Sequence, residues 1–437
     1  MRITFVRPNL TDARSSDAME PLSFAVVKSL TPPDVETKFY DQRLEDIPYD
    51  EPTDLVALTV ETYTARQSYW IADEYRRRGV KVVMGGYHPT LAPREAHRFA
   101  DSIVQGDAED VWKTVVADAR KGRLELTYRT EGFPSIEESR PDRSIFEGKS
   151  YLPIALVQYG RGCRYNCEFC SIRAFYGSDL RQRPVKAVVE EIERVGRKYV
   201  FFVDDNIFVD LPKAKQLFRA LIPLNILWFC QASIDIARDR ELVSLMARSG
   251  CANVLIGFES LNEDNLEQMR KKWNLKYGDY ATSIEILRDA GLMIYGTFVF
   301  GYDRDTVDSF DAAVDFSLRH KFCLANFNPL TPTPGAPLYD RLLRENRLVY
   351  EKWWLEPGYR YGEATLHPRG MTADELTAGC YRARSAFNTF GSISRRLLDL
   401  RANLGGPRHA GIYLLSNLVS RKEIHAKQGV LLGQSAG

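Results

Sequence analysis

The chain has 437 residues, 44% of them hydrophobic and 27% charged, with a formal net charge of +1. That length predicts two or three domains with ordinary buried cores, and the near-zero charge gives no electrostatic case for nucleic acid or an anionic membrane as partner. No apolar run approaches a bilayer-spanning length, the Met-Arg-Ile-Thr-Phe-Val start lacks a signal-peptide shape, and seven cysteines argue against a disulfide framework, so a cytoplasmic protein is expected. In chain order, Ile3–Val6, Val35–Tyr40, Leu55–Val60, Val80–Met84 and Ser102–Val104 read as strands, and Pro21–Leu30, Ala65–Arg78 and Glu109–Lys121 as helices. Strands alternating with helices predict a parallel sheet covered on both faces, an α/β Rossmann-like domain over residues 1–130. Ligands of such sheets bind at the strands' carboxyl ends. Here those ends carry Arg7-Pro8-Asn9, Glu61-Thr62-Tyr63, Gly85-Gly86-Tyr87-His88-Pro89 and Gly106-Asp107-Ala108-Glu109.

A linker over 131–150 leads into a second unit over 151–345. Its first strand, Leu152–Tyr159, runs directly into a loop with Cys163, Cys167 and Cys170 in the spacing C-x3-C-x2-C, and Phe169 precedes the last cysteine. A four-iron cluster usually takes four cysteines. Three leave one iron without a protein ligand, and an open metal position is what a catalytic site keeps. A structural zinc site would need a fourth Cys or His nearby, yet no histidine lies between His97 and His320 and the next cysteine is Cys230. Helix Pro184–Lys198 follows, then strands Tyr199–Asp204, Ile226–Ser233, Val254–Glu259, Met293–Gly301 and Leu324–Pro329, each with its helix. Six units predict an incomplete (β/α)6 barrel with the cysteine loop at a strand's carboxyl end, where such barrels carry their chemistry. Strand alternation groups Gln231 with Ser233, Glu259 with Leu255 and Gly257, and Asn326 with Asn328. Cys230 points the opposite way and reads as a packed, inert thiol.

Cys163, Cys167, Phe169 and Cys170 resemble the signature of the radical SAM superfamily. That resemblance implies a [4Fe-4S] cluster on the three cysteines, which are then both metal ligands and catalytic residues. It implies S-adenosylmethionine (SAM) on the open iron, reductive cleavage of a SAM carbon–sulfur bond, an electron donor such as flavodoxin or ferredoxin, and a small-molecule substrate. Phe169 would lie near the adenine. Asp204 and Asp205 at the second strand end, Gln231 and Ser233 on the third strand, Glu259 and Ser260 on the fourth and Thr297 on the fifth are the implied cofactor contacts.

Placed before such a core, the first domain resembles the cobalamin-binding domain of B12-dependent members, through Gly85-Gly86-Tyr87-His88-Pro89-Thr90 and Gly106-Asp107-Ala108-Glu109. The D-x-H-x-x-G motif that supplies a histidine to cobalt elsewhere is absent throughout the chain. Two readings stay open: bound cobalamin, or an inherited Rossmann-like domain that binds nothing and shapes the substrate entrance. His88 is correspondingly a ligand or a loop hydrogen-bonder.

Residues 346–437 read as a helical segment, with Thr372 and Glu375 forming a capping box. A helical lid on the barrel is expected, with Trp354, Tyr359 and Arg360 as groups that could close over substrate, and the last twenty or so residues frayed. The reaction these features imply is transfer of a SAM-derived carbon group, a methyl with cobalamin assistance, to a small molecule of secondary metabolism. A second reading rests on Met269–Trp273, Phe298–Tyr302 and Trp353-Trp354, which resemble a subgroup that includes the arsinothricin-biosynthesis enzyme. It implies 3-amino-3-carboxypropyl transfer from SAM to trivalent arsenic, with Cys251 and Cys323 as thiolate candidates by residue type. A third, from another class, is a cluster-carrying redox protein without SAM chemistry.

Overall fold

Two parallel six-stranded sheets organise the chain in a computed structural model, which describes residues 1–11, 13–275 and 279–433. The first sheet contains β1 (Arg2–Arg7), β2 (Glu36–Asp41), β3 (Leu55–Thr59), β4 (Lys81–Gly85), β5 (Ser102–Gln105) and β6 (Thr127–Arg129), in the order β2-β1-β3-β4-β5-β6. Leu55 to Leu58 of β3 are buried on both faces, as expected of a parallel strand sandwiched between helices. Those helices are α1 (Leu22–Leu30), α2 (Ala65–Arg77) and α3 (Trp112–Arg120). Strand β6 is absent from the sequence reading for a physical reason. It is a three-residue edge strand whose only buried side chain is Tyr128, too short to show a period.

The second sheet begins with β7 (Ile154–Val157). A short antiparallel ribbon of β8 (Gly160–Arg161) and β9 (Arg181–Gln182) brackets the cysteine loop and helix α4 (Ser171–Tyr176). Then come β10 (Tyr199–Phe202), β11 (Leu227–Ala232), β12 (Cys251–Glu259), β13 (Met293–Phe300) and β14 (Leu324–Pro329), giving the order β14-β13-β12-β11-β10-β7. The sheet is an open half-barrel backed by α5 (Val185–Val195), α6 (Leu211–Leu221), α7 (Arg240–Arg248), α8 (Tyr280–Asp289), α9 (Asp308–Arg319) and α10 (Pro337–Arg344). Alternation along β13 and β14 sends Phe298 and Phe327 outward as register partners, with rings stacked at 5.6 Å and 4°, and Phe258 of β12 stacks on Phe298 at 5.7 Å. The opposite, half-buried face carries Gln231, Tyr295, Thr297, Val299, Asn326 and Asn328 toward the lumen.

The C-terminal segment adds α11 (Ala373–Phe387), opened by the capping box of Thr372 and Glu375, α12 (Phe390–Leu397) and α13 (Pro407–Lys427). This segment corrects two expectations. Trp354 is not a lid residue: it is buried at the seam between the two sheets, its Nε1 donating to Glu95 Oε1 at 2.8 Å, beside His88 and Tyr339. Arg360 is likewise turned to the chain end, its Nη1 donating to the Gly429 carbonyl at 2.8 Å. Nor is the end frayed as far as it is described. After α13, the Tyr361 amide donates to Val430, the Gly433 amide donates to Leu10, and Leu432 is buried. Among the described residues no helix is long and apolar enough to cross a membrane.

Candidate functional site

The cysteine loop is held by carboxylates that accept from its backbone. Asp204, just beyond β10, accepts from the amides of Tyr159 (2.9 Å) and Gly160, and Asp205 accepts from Gly162 at 2.9 Å. Gly162 has φ +89 and packs against the Asp179 carbonyl so closely that no side chain fits there. Farther along, Glu168 ties the loop to α10 through Arg341 at 2.7 Å, and Tyr165 stacks on Trp273 at 3.5 Å and 4°.

Burial raises the thiols of Cys163 and Cys170 and pushes Cys167 up to about 12. Against this, the Tyr165 amide favours the Cys163 thiolate, the Arg173 and Ile172 amides at the start of α4 favour that of Cys170, and the Lys271 charge favours that of Cys167. Neutral thiols with donors aimed at their ionised forms are what a metal converts to ligands by displacing protons. The three sulfurs lie close enough to feel one another's charge. Yet among the described residues no three His, Cys, Asp or Glu side chains converge to hold one ion. A cubane takes its thiolates at separate iron corners, and three loop cysteines with Cys230 as the next in sequence suit an open-cornered cluster better than a four-ligand structural zinc site.

The predicted contacts separate into two groups. Phe169, Gln231 and Thr297 border the lumen or the chamber described below. Asp204 does not: both its oxygens are engaged by loop amides, and burial lifts its carboxyl to about 7. Ser260 is also turned away, its hydroxyl accepting from Asn262 and Asn265 in a turn. Ser233 braces the loop instead, touching Asp235, Tyr165 and Asn206. Asp205, lifted by burial to about 6, faces the space between the sheets. Glu259 ends β12, buried, at φ +65 and with Oε1 bound by Lys271 Nζ at 2.8 Å. Burial works against the charge on Lys271, but Glu259 and then Cys167 outweigh it and raise its pKa. Lys271 was missed because a lone lysine in a basic run ordinarily reads as solvated surface.

Also missed was the seam joining the ribbon to the first sheet. Arg161 lies 3.1 Å from Asp107 and 2.6 Å from Glu109, and Arg181 lies 2.8 Å from Asp107, all with side chains about one-tenth exposed. Beside this seam, an apolar cavity of about 340 Å³ runs between the first sheet and helices α1 and α3, reaching past Gly86 and Asp107 to Asp205. A second chamber of about 600 Å³ lies where the carboxyl ends of the two sheets face each other. It is bordered by Arg7 and Tyr63 from the first, Phe169 and Asn328 from the second, and Tyr361 and Arg384 from the C-terminal segment. His88 reaches neither space. It is fully buried, bonded to Thr62, Tyr69 and Glu95, which makes it a structural hydrogen-bonder.

The radical SAM superfamily model matches residues 157–317. Bacteriochlorophyllide d C-12(1)-methyltransferase of Chlorobaculum tepidum is 31% identical over 390 residues, spanning 86% of this chain and 84% of that protein. The chain belongs to the radical SAM superfamily. Bacteriochlorophyllide d C-8(2)-methyltransferase of the same organism is also 31% identical, over 76% of this radical SAM chain and 78% of its own. The radical SAM methyltransferase TsrM from Kitasatospora setae, solved with cobalamin and a [4Fe-4S] cluster, shares the fold over 98% of both chains, with a TM-score of 0.65 at 17% identity. The cobalamin-dependent radical SAM enzyme OxsB matches 97% of this chain and 71% of its own, with a TM-score of 0.66 at 14% identity. Membership implies a [4Fe-4S] cluster and SAM, and the chain is an enzyme that transfers a SAM-derived group. The redox-carrier reading is thereby set aside. The arsenic reading loses its thiols: Cys251 opens β12 beside buried Cys230, and buried Cys323 precedes β14, both at the strand ends opposite the mouth.

Proposed function

We propose that this chain is a cobalamin-assisted radical SAM methyltransferase acting on a small molecule, with its cluster on Cys163, Cys167 and Cys170. The observation that carries the reading is the chamber in which the carboxyl ends of both sheets meet, with Phe169 of the cysteine loop in its wall. Each sheet binds ligands at that edge, so two cofactors would share one enclosed space. The methyltransferase relatives support the methyl group as the cargo. When bound, the cluster supplies an electron to SAM and cobalamin supplies a methyl carrier.

The chain's own residues bind, orient and enclose. Asp204 and Asp205 fix the loop amides on either side of Arg161, so the thiols are presented from a rigid turn. The Lys271–Glu259 pair places a cation near Cys167 and leaves the second Glu259 oxygen without a described partner, free to accept from an ammonium or hydroxyl. The apolar cavity against α1 and α3 and the adjoining chamber are the spaces open to cobalamin, and His88, engaged elsewhere, leaves the cobalt without a histidine from that loop. Residues 1–130, 151–345 and 346–437 act as cobalamin unit, barrel and closing segment, and reduced flavodoxin or ferredoxin in the cytoplasm is the electron source this reading requires.

The test is anaerobic reconstitution with iron, sulfide, cobalamin and SAM under a low-potential reductant. Cobalamin absorbance that survives desalting, together with S-adenosylhomocysteine among the products, is expected. Methylthioadenosine as the main product, or complete loss of cobalamin on desalting, overturns it.

A further inference from the structure

We infer that the substrate is an anion with a flat apolar body, and that Arg384 on α11 holds its acidic group; this rests on the reading above that the cofactors meet at the chamber, where the substrate must reach them. The chamber's 600 Å³ suits a small organic molecule. Its wall includes the half-buried rings of Tyr63, Phe169 and Tyr361, which favour stacking on a planar body.

The charge argument is sharper. Among the described residues, each other arginine bordering the chamber has a carboxylate: Arg7 has Glu61, Arg14 has Asp46, and Arg43 has Asp41. Arg384 has none, although it is 6% exposed. Its Nε donates to the Cys380 carbonyl at 3.3 Å and its Nη2 to Gln428 Oε1 at 2.7 Å, while Nη1 makes no hydrogen bond to a described residue. A buried charge without a counter-charge is costly unless protein acceptors meet its donors or a ligand supplies the missing charge.

The guanidinium is also deliberately aimed. Gln428 follows α13, where the chain end pairs backbone to backbone with Tyr361. Gly362, at φ +88, leaves room for the Gln428 amide that any side chain there would displace. Arg396 shows what a purely structural buried arginine looks like in this protein. Its Nη1 donates to the carbonyls of Phe322 and Cys323, its Nη2 to Phe387 and Asn417, and it stacks on Phe387 at 3.7 Å. Arg384 leaves one end of its fork open on the chamber, in the geometry that binds carboxylate or phosphate.

SAM also carries a carboxylate, so the test must separate the two sources. Acetate, benzoate and indole-3-acetate are each titrated against their neutral amides into reconstituted wild-type, R384M and R396M enzyme, with and without saturating SAM. Binding is read by calorimetry and thermal shift. In wild type at least one carboxylate is expected to bind about tenfold or more tighter than its amide, as one charge-assisted contact requires. R384M loses that preference while keeping its thermal midpoint at or above wild type, whereas R396M lowers the midpoint. The inference is overturned if no acid outbinds its amide, or if R384M is as destabilised as R396M. It is also overturned if saturating SAM abolishes the preference while R384M weakens SAM binding tenfold, since the anion is then SAM's own. None of these readouts uses methyl transfer, so an enzyme that discriminates acids but never methylates sinks the proposed function alone.

Discussion

Replacing Lys271 by methionine isolates the electrostatic support of the site. Lys271 Nζ sits 2.8 Å from Glu259 Oε1, and both side chains are 10% exposed. Removing one member of a buried pair strands the other charge, which costs about 3–5 kcal/mol. Glu259 also occupies φ +65, a left-handed conformation that a non-glycine residue holds only when its surroundings over-determine it. For a unit of this size each kcal/mol moves the thermal midpoint by about 2–4 °C, so K271M should melt roughly 6–20 °C below wild type. Differential scanning calorimetry of K271M, E259Q and the double variant provides the cycle. The double variant should recover at least about 1 kcal/mol relative to the sum of the singles, because neither charge is then left buried alone. A K271M midpoint within 2 °C of wild type, or singles that simply add, would refute the pair as a buried, coupled element.

Three further substitutions test the packing around it. Gly379 of α11 faces the Phe310 ring so closely that an added Cβ would overlap it; G379A, which gains helix propensity elsewhere, should lose about 1–3 kcal/mol here, and a stabilised variant on thermal denaturation contradicts the α9–α11 contact. R161M leaves Glu109 unpaired at the seam and Asp107 with Arg181 alone, so a loss of about 3–5 kcal/mol is expected, with faster proteolysis between residues 131 and 150; an unchanged cleavage rate argues that the two sheets are held elsewhere. W354F removes the indole donor to the Glu95 carboxylate at 2.8 Å and should lower stability by about 1.5–3 kcal/mol, with no change counting against that bond.

The barrel was legible because most of its strands alternate buried with half-buried residues, as β13 and β14 do, and because the cysteine spacing is specific enough to name the chemistry before any coordinate. Legibility failed where a side chain's task depends on a distant partner. Asp204 and Ser260 lie in the expected runs, yet they build the turns beneath the site rather than face it. Glu95, Arg161, Lys271 and Arg384 carry no local pattern, since their meaning comes from Trp354, Asp107, Glu259 and Gln428, each far away in sequence or on another element. The C-terminal aromatics looked like a lid because aromatic stripes do not announce which surface they cover; Trp353 and Trp354 cover the seam instead.

The iron content and electron paramagnetic resonance of the reduced, reconstituted protein bear most directly on the cysteine loop. Wild type should bind about four irons per chain and show a signal that changes when SAM is added. Alanine at Cys163, Cys167 or Cys170 should abolish both, whereas alanine at Cys230, Cys251, Cys323 or Cys380 leaves them intact. A full iron complement after loss of any of the three loop cysteines, or a wild-type spectrum indifferent to SAM, would contradict an open iron on this loop.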